Sequence, residues 1–583
     1  MSACGAASRE QPGGLNGMSP DTIPSTPAAA VDKADETGFD FAYSDRDKDA
    51  SFDESQAITV TLQGNTATAT GVGGAQATGA ASTQAAGVVV DESAVTLTAE
   101  GTYVVRGELS GLSLVVDAPD EAKLQVVLDG ARIQNSTGPA LLIENADKVF
   151  LTLADGSENS LSDGPGRSDL AEAISGTEVG DTTGENVAAA DAQAEASAHE
   201  QTEASAHAEH DATLFSHDDL TINGSGSLAV SSASAHAIVS KDDLVVTGGT
   251  FALVAAADAL QGKDCVKIAD GSFNISAGDD AIVSTNTDEP QSAGFVSLDG
   301  GTLTISAVDD ALHAETILRL AGGATNITAC EEGFEAVQVW VQGGEHIINA
   351  ADDGINAAGE ARDDFLIDIS GGTLDVTAGG DGIDSNGSLT QSGGTVTVNG
   401  PTSFDDGALD APSATITGGT MLALGSAGMA QGYGNGSTQP ALLCQLPQTQ
   451  PAGAVLSLHD AQGAALFSYT AVKDFGSIAY SSPELIQGSS YTFKIEGEDV
   501  LGFTLSELVA SIGADGTVSA YAGGGFGGFG SPGGFGGTGG PAGPDGAAGP
   551  GGSGFGGRGG AAGAGGPAGP GGSGGALGAQ RRN

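Results

Sequence analysis

A short repeated motif constrains the fold of this chain more than any other feature of its sequence. Gly-Gly or Asp-Gly pairs are followed by short runs in which apolar and polar side chains alternate. Strict alternation is typical of a β-strand that buries one face and exposes the other. Because the motif recurs over a long stretch of chain, it indicates a repeat architecture. The clearest copies are 249–253, 301–305, 372–376 and 394–398.

An acidic corner follows each of these strands. From Asp280, the second acidic position of each copy advances by 30, 22, 21, 28 and 25 residues. Three short strands in ~22 residues, with Gly and Asp between them, describe one coil of a β-solenoid. We therefore predict an all-β chain folded as a right-handed parallel β-helix, whose coils stack at the ~4.8 Å strand spacing. A propeller is the alternative, but its blades need ~40 residues.

Composition changes along the chain predict four segments. Residues 1–40 form a disordered leader, and residues 41–436 form the β-helix. An insertion at 163–212, rich in Ala, Glu and His, interrupts it. Residues 437–521 lose the repeat and predict a β-rich capping module, and the Gly-rich residues 522–583 predict a disordered tail. Within the insertion, His199, His207 and His210 are candidates for weak metal binding, although a solvated loop is the preferred interpretation.

The charge balance excludes several partners. The chain has 583 residues, with 75 Asp and Glu against 19 Lys and Arg, and a net charge of -56. Such a chain repels nucleic acid and anionic membranes. It can hold an acidic polysaccharide only if a cation lies between the two. At 39% hydrophobic residues it can still bury a core. No stretch approaches the ~18 continuous apolar residues of a membrane span.

The cysteines indicate a compartment. Residues 2–5 read Ser-Ala-Cys-Gly, which looks like the cleavage end of a bacterial lipoprotein signal. This pattern predicts lipidation of Cys4 and an extracellular, cell-surface location, with membrane contact only through that anchor. An incidental cysteine is the alternative. Cys265, Cys330 and Cys444 cannot all pair with one another, so we predict free thiols with structural roles.

Stacked coils predict a column of carboxylates. If equivalent residues stack, Asp280, Asp310, Glu332 and their counterparts lie ~5 Å apart along one corner and repel one another. Either their pKa values rise or cations lie between them, and oxygen ligands of this kind select Ca²⁺. Alternatively, each Asp simply caps a turn with its side chain. The predicted calcium ligands are Asp279, Asp280, Asp309, Asp310, Glu332, Glu335, Asp352, Asp353, Asn356, Asp381, Asp384, Asn386, Asp405, Asp406 and Asp410.

A second acidic group lies near the N-terminus. Asp45, Asp47, Asp49 and Asp53 occupy positions 1, 3, 5 and 9 of an EF-hand-like loop. Position 6 is Ala rather than Gly, and position 12 is Gln rather than Glu. The pattern therefore favours a looser additional calcium site or a charged turn over a true EF-hand.

One outward surface combines basic and aromatic residues. Counting back three residues from successive Gly-Gly or Asp-Gly pairs gives Lys267, Arg319 and Trp340, among others. Arg319 and Trp340 are 21 residues apart, so they should be neighbours on adjacent coils. Trp stacks on sugar rings and Arg or Lys contacts hydroxyls or carboxylates, which predicts a carbohydrate-binding surface. A Trp covered by a long loop is the alternative.

The chain resembles the carbohydrate-binding β-helix proteins of bacterial cell surfaces, relatives of pectate lyases in fold. The resemblance covers about residues 41–500 without the insertion. It departs from the pattern at 256–259, at 331–333 and at His236. It implies polysaccharide binding, for example to cellulose or polygalacturonate, with bound calcium and no established catalysis. The stretches that carry it are 45–54, 240–244, 262–264, 278–282, 352–357 and 380–387.

Three functions are weighed. The preferred one is a non-catalytic, calcium-stabilised polysaccharide-binding protein of the cell surface. A calcium-dependent lyase would need an Arg or Lys base to remove the proton beside the uronate carboxylate. A structural adhesin is the third, and the sequence leaves the oligomeric state open. The candidate bases in the repeat region are Lys241, Lys263, Lys267, Arg319 and Arg362.

Overall fold

A computed structural model describes residues 38–71, 76–78, 87–164, 210–521 and 523. The predicted lipidation of Cys4, His199 and His207, most of the insertion and almost all of the Gly-rich tail lie outside the described residues. Residues 38–40, which were expected in the leader, are described and pack against the solenoid, with Phe39 only 5% exposed.

The described chain is all-β and forms a parallel β-helix of about 12 turns. This confirms the predicted fold class. Each coil contributes a strand to three parallel faces, and each strand pairs with its equivalents on the coils before and after it. The steps between equivalent residues are often 21 or 22, as from Val245 to Lys267 and from Arg319 to Trp340.

The first face carries the strands that follow the glycine pairs. Their side chains alternate between core and solvent, as in Ser272–Ser276. Its strands are Glu158–Ser162, Ser227–Ser231, Thr250–Val254, Ser272–Ser276, Thr302–Ser306, Ala324–Ala329, Glu345–Asn349, Thr373–Thr377, Thr395–Asn399 and Thr420–Gly425.

The second face follows the acidic corners. Its strands are Ala94–Leu97, Ser113–Asp117, Leu141–Asn145, Ala212–Ser216, His236–Ser240, Leu260–Gly262, Ile282–Ser284, Ile355–Ala357 and Asp384–Ser385. Two longer strands run on from this face into the third, Leu312–Leu320 and Phe334–Val341.

The third face completes each coil. Its shorter strands are Lys148–Leu153, Asp219–Gly224, Asp243–Val246, Cys265–Ile268, Phe295–Leu298, Leu366–Ile369, Ser388–Gln391 and Ser413–Ile416. In the N-terminal coils, three long strands run from this face into the first, Ile58–Gly64, Gly101–Ser110 and Lys123–Gln134.

The core is a set of stacked apolar rows inside the solenoid. On the third face one row places each side chain directly on its equivalent in the next coil, and its members are at most 1% exposed. On the first face, the Phe251 and Phe273 rings stack with centroids 4.6 Å apart. Identical packing on successive coils thus turns the repeat into one continuous core. The row on the third face is Leu220, Leu244, Val266, Val296, Leu318, Val339, Ile367 and Leu389.

The glycine pairs are required where the chain enters the first face. Gly372 has φ +78°, and a Cβ there would lie 2.7 Å from the carbonyl oxygen of Gly343 on the preceding coil. A side chain at this corner would therefore clash with the backbone as well as strain it.

This predicts a difference between two glycines. Gly453 has a similar φ of +83° but open space around its Cβ position. Gly453→Ala should cost about 1 kcal/mol of unfolding free energy, from backbone strain alone. Gly372→Ala should cost at least about 3 kcal/mol, because the coils must also move apart. Denaturant unfolding of the two variants measures the difference, and equal losses would contradict this account of the corner.

Both ends of the solenoid are covered by other strands. At the N-terminal end the strands are Ala67–Thr70, Gln76–Thr78 and Val88–Val90, which pair antiparallel with their neighbours. The C-terminal strands form the expected β-rich module, with its own apolar cluster and a separate four-stranded sheet. They are Ala441–Gln450, Val455–Asp460, Ala465–Thr470, Phe475–Ser481, Ser490–Ile495, Glu498–Thr504, Val509–Ile512 and Val518–Ala520.

The N-terminal residues 38–53, here called the strap, cross the outside of the third face. They contain one helical turn, Asp45–Lys48, whose N-cap is Ser44. In the part of the chain that the structure describes, no helix has the length and apolar character needed to cross a bilayer. Cys265, Cys330 and Cys444 are buried free thiols.

Candidate metal centre

The acidic corners stack into one column along the solenoid. The amide that follows each corner residue donates to the carbonyl of the equivalent residue on the next coil. Examples are Ala281 to Asp310 at 2.9 Å and Gly333 to Asp353 at 3.1 Å. On the last coil this position is Gly407, so Asp406 falls one residue before it, a shift that the sequence spacing did not reveal. The corner column is His236, Asp258, Asp280, Asp310, Glu332, Asp353, Asp381 and Gly407.

Several corner carboxylates also cap the next coil. The backbone N–H of Asp310 donates to Oδ1 of Asp280 at 3.0 Å, and that of Asp381 donates to Oδ1 of Asp353 at 2.6 Å. Asp258 and Asp381 accept equivalent bonds from Asp280 and Gly407. The turn-capping interpretation therefore holds for these residues. A cation beside Asp353 or Asp381 would use the other carboxylate oxygen.

A second row lies three residues further along each coil. Strand register aligns His313 with Glu335, Glu335 with Asn356, and Asn356 with Asp384. A β-bridge then joins Asp384 to Asp410. The row runs beside the corner column, and Asp310, Glu332 and Glu335 bring carboxylate oxygens within 4.8 Å of one another. The two rows together form an acidic strip on the second face.

His313 supplies a positive charge to one part of this strip. Its Nδ1 lies 3.4 Å from carboxylate oxygens of both Asp280 and Asp310, and 4.0 Å from Glu335. Burial opposes protonation, but the hydrogen bond to Asp280 and the surrounding carboxylates outweigh it and raise the pKa of His313 to about 9. The imidazolium therefore offsets part of the carboxylate charge around it at neutral pH. Burial and Glu335 raise the pKa of Asp310 far above its usual range.

The next coils hold carboxylates without such a partner. Burial, reinforced by neighbouring carboxylates, raises the pKa values of Glu332, Asp353, Asp381 and Asp384 to about 7. Among the described residues, no lysine or arginine forms an ion pair with these four groups. Bringing them together thus costs free energy unless protons or cations neutralise them.

One oxygen in this region lacks a hydrogen-bond partner. The Asn356 side chain donates through Nδ2 to Oε2 of Glu332 at 3.0 Å, which leaves its Oδ1 buried and without a partner. A buried amide oxygen with carboxylates on its own coil and on the adjacent coils is a donor set that suits Ca²⁺ rather than softer metals, which prefer nitrogen or sulfur. The residues present therefore fit calcium, and the candidate ligands are Glu332, Asp353, Asn356, Asp381 and Asp384.

The other predicted ligands lie at the margins of the strip. Asp279 and Asp309 approach Asp280 within 4.8 Å, and burial and these neighbours raise the pKa of Asp309. Asp352, Asn386 and Asp405 are exposed. Asp410 extends the second row and accepts a hydrogen bond from Gln431.

The EF-hand-like residues have separate partners. Asp47 faces the solenoid, where it accepts from Thr221 at 2.7 Å and pairs with Lys148 at 3.1 Å. Asp49 and Asp53 accept from the serines two residues later, whereas Asp45 lies in the helical turn. This arrangement matches the charged-turn alternative rather than a shared ligand loop.

The predicted carbohydrate-binding surface is wrong in one respect. Lys267, Arg319 and Trp340 do lie in one outward row on the third face, and Arg319 and Trp340 are direct neighbours. The strap, however, covers the row, so that Trp340 is 3% exposed and Lys267 6%. The alternative of a covered tryptophan therefore holds, with the strap as its cover.

The contacts beneath the strap occupy the polar groups of this row. Phe41 packs on Trp340 with centroids 6.2 Å apart, and the Arg319 guanidinium lies 5.0 Å from the Phe41 ring. Arg319 also donates to Asp299 at 2.7 Å. Lys267 donates to the backbone carbonyls of Asp40 and Ala42.

Sequence reasoning missed the strap and the exposed Phe404. A signal for the strap was present, because aromatic residues occupy every second position from Phe39 to Tyr43. Phe404 precedes Asp405 and Asp406, at the C-terminal end of the acidic strip, and is 73% exposed. No local pattern distinguishes it from a buried phenylalanine.

Comparison with known proteins identifies the family. A model described as "Carbohydrate-binding domain-containing protein" matches residues 91–364 and 317–439, which together exceed half of the chain. A protein of the same description from Acetivibrio thermocellus is 36% identical over 74 residues. That match covers 13% of this chain and 26% of the relative, so the chain spans about a quarter of that relative's length.

A solved structure was also found. The gadolinium derivative of the polysaccharide lyase-like protein from C. thermocellum is 27% identical, with a TM-score of 0.34. The match covers 46% of this chain and 91% of that one. From the family match, the chain belongs to the carbohydrate-binding domain-containing protein family.

Proposed function

We propose that this protein is a non-catalytic, cell-surface polysaccharide-binding protein in which calcium on the acidic strip joins the protein to an acidic glycan such as polygalacturonate. Family membership supports the carbohydrate-binding role. The calcium requirement follows from charge, since a chain of net charge -56 repels a polyanion unless cations lie between them. Calcium bound here would supply open coordination positions for uronate carboxylates.

The observation that carries the proposal is the Asn356 neighbourhood. Four carboxylates with raised pKa values lie on the same coil as, or on the coils next to, a buried amide oxygen that has no partner. Turn capping explains Asp353 and Asp381 but does not explain why Glu332, Asp384 and the Asn356 oxygen are partly or fully buried on successive coils without a positively charged partner. A cation explains all of these features together.

The contacts of four of the five candidate bases favour binding over lyase chemistry. Lys267 is buried under the strap, and Arg319 is held by Asp299 beneath Phe41. Arg362 pairs with Asp364, and Lys241 lies 4.0 Å from Asp211. A lyase needs a basic group that reaches the proton beside the uronate carboxylate. None of these four forms an ion pair with Glu332, Asp353, Asp381 or Asp384.

Phe404 offers an apolar contact for a sugar ring. Its ring packs on one side against Gly428, where an added Cβ would lie 2.7 Å from the ring, and most of its surface faces solvent. An exposed aromatic at the end of a charged strip provides a platform for the apolar face of a pyranose. We include Phe404 in the proposed binding surface on this ground.

The test is a pull-down of the full chain on insoluble polygalacturonate and cellulose, with calcium and then with a chelator. We expect retention on polygalacturonate with calcium and at least ~10-fold less with chelator, while absorbance reports no unsaturated uronate. Release of unsaturated product would replace the proposal with a lyase. No retention on either polymer would favour a structural adhesin.

Matched variants place the site. Asp381→Asn with Asp384→Asn should abolish calcium-dependent retention, because two ligands of the proposed centre are lost. Asp375→Asn changes the charge on the same coil but lies on the first face, in Thr373–Thr377, and should bind normally. Phe404→Ala should weaken retention several-fold without changing calcium affinity. Equal binding by the double variant and the Asp375 control would contradict the placement.

The proposed location is the outer cell surface, with Cys4 as the lipid attachment point. The Pro-, Ser-, Thr- and Ala-rich residues 19–30 that follow suit a tether. Metabolic labelling with a radioactive fatty acid, compared with Cys4→Ser, checks this part of the proposal independently of glycan binding.

A further inference from the structure

A histidine-containing cluster lies on the second face, away from the acidic strip's calcium centre. It consists of Glu144, His210 and His217, whose side chains bring one ligand atom each within 4.8 Å of the others. His210 Nε2 lies 3.2 Å from His217 Nε2 and 3.4 Å from Oε2 of Glu144. Two imidazole nitrogens and a carboxylate oxygen thus converge on one point.

Strand register explains how the residues meet. Glu144 lies in Leu141–Asn145, and His217 directly follows Ala212–Ser216, which pairs with that strand in parallel. The His217 N–H donates to the carbonyl of Ile143 at 3.0 Å, which places His217 beside Glu144 on adjacent coils. His210 lies just before the same strand, where the chain returns from the insertion.

A buried aromatic ring supports the two imidazoles. Phe215 is 1% exposed, and its ring centroid lies 5.1 Å from that of His210 and 5.0 Å from that of His217, both edge to face. The histidines themselves remain accessible to solvent. The buried Phe215 ring thus fixes the orientation of the two imidazoles, while a ligand can reach their nitrogens from the solvent.

The distances match a tetrahedral metal site. With metal–nitrogen bonds of about 2.0–2.1 Å, neighbouring ligand atoms of a tetrahedron lie about 3.3 Å apart. The observed separations of 3.2 and 3.4 Å are close to this value. A hydrogen bond between the two Nε2 atoms would need one of them protonated, and a metal ion would take the place of that proton.

We propose that Glu144, His210 and His217 bind a divalent transition metal of the zinc type, with water in the fourth position. Imidazole ligands favour Zn²⁺ over Ca²⁺, so this site is chemically distinct from the oxygen-only strip. The metal would fix residue 210, near the end of the predicted insertion, to a strand that precedes the insertion. Its role is therefore to join the described residues on either side of the insertion, at Glu144 and at His210.

The test is a Zn²⁺ titration of the full chain after removal of metals, followed by calorimetry. We expect one zinc ion per chain at this site, and a rise in the thermal midpoint with Zn²⁺ because the ion binds only the folded cluster. His210→Ala and His217→Ala should each weaken this binding by more than ~10-fold, since even second-shell losses cost that much. Glu144→Gln should weaken it less.

Control variants separate this cluster from other histidines. His459→Ala, in the C-terminal module, and the double variant His199→Ala with His207→Ala should retain the binding. In Cu²⁺-loaded protein, electron paramagnetic resonance should show coupling to two nitrogens, and to one in His217→Ala. Unchanged zinc affinity in both His210→Ala and His217→Ala, or its loss in the His199 and His207 double variant, would overturn the proposal.

Discussion

Without divalent cations, the free energy of unfolding should fall steadily as the pH rises from about 4 to about 8. The reason is that Glu332, Asp353, Asp381 and Asp384 have pKa values of about 7 in the folded chain, well above the usual values near 4. A raised carboxyl pKa means that the folded state binds more protons than the unfolded state. The extra protons bound by the folded state stabilise it fully below pH 4, and this stabilisation is lost as the pH passes 7.

The expected loss of unfolding free energy is large for a single surface of the protein. Each group should contribute roughly 1 to 2 kcal/mol after allowance for the solvent that reaches it. Together they should lower the thermal midpoint by on the order of 5 to 10 °C between pH 4.5 and 7.5. His313 acts in the same direction at higher pH, because its pKa of about 9 makes its contribution disappear only as the pH passes 9.

Thermal unfolding in a chelating buffer, repeated across this pH range, measures the effect. Millimolar Ca²⁺ should remove most of the fall, because bound cations replace the protons, and Mg²⁺ should do so less well. Asp384→Asn should reduce the fall of the thermal midpoint with pH by about the contribution of one carboxyl group. A chelated protein whose midpoint is constant from pH 4.5 to 7.5 would contradict the raised pKa values that support the proposed calcium centre.

The second large effect concerns the strap. Phe41→Ala should lower the free energy of unfolding by about 3 to 4 kcal/mol, because the ring is 7% exposed and packs between Phe295, Trp340 and the Arg319 guanidinium. Trp340 is the only tryptophan of the chain, so its fluorescence reports directly on this contact. Its emission should shift to longer wavelength when the strap leaves.

Phe404→Ala is the matched control for this variant. It makes the same change at a side chain that is 73% exposed, and should alter stability by less than about 0.5 kcal/mol. Its tryptophan emission should equal that of the unmodified protein. If Phe41→Ala resembled this control in both measurements, the strap would not cover Trp340 in solution.

The sequence repeat correctly predicted contacts between equivalent residues on adjacent coils. Its spacing placed Arg319 beside Trp340 and stacked the corner carboxylates from Asp280 to Asp381, because parallel pairing relates residues about one coil apart. Its failures have two physical causes. Asp406 lies one residue off register, since the loop before Gly407 changes length without leaving a pattern in the sequence. The prediction that Trp340 is exposed was wrong because the strap, which covers it, lies some 300 positions earlier in the chain.

The acidic strip was predicted only in outline. Oxygen ligands on successive coils follow from the repeat, but His313 and Asn356 show why individual positions differ. An imidazolium takes the place of a cation on one coil, whereas an amide oxygen without a partner marks the next ones. Such differences depend on side-chain geometry within the strip, which residue spacing alone does not contain.

The strap also bears on how the solenoid comes apart. Coils that touch only their neighbours can open a few at a time from one end, which exposes edges to proteases. The strap instead contacts a row that runs over eight coils, from Gln125, which donates to the carbonyl of Ser51, to Trp340. Fraying of the first coils would pull Phe41 from its place far along the molecule. These coils therefore resist partial opening together, as a single cooperative unit.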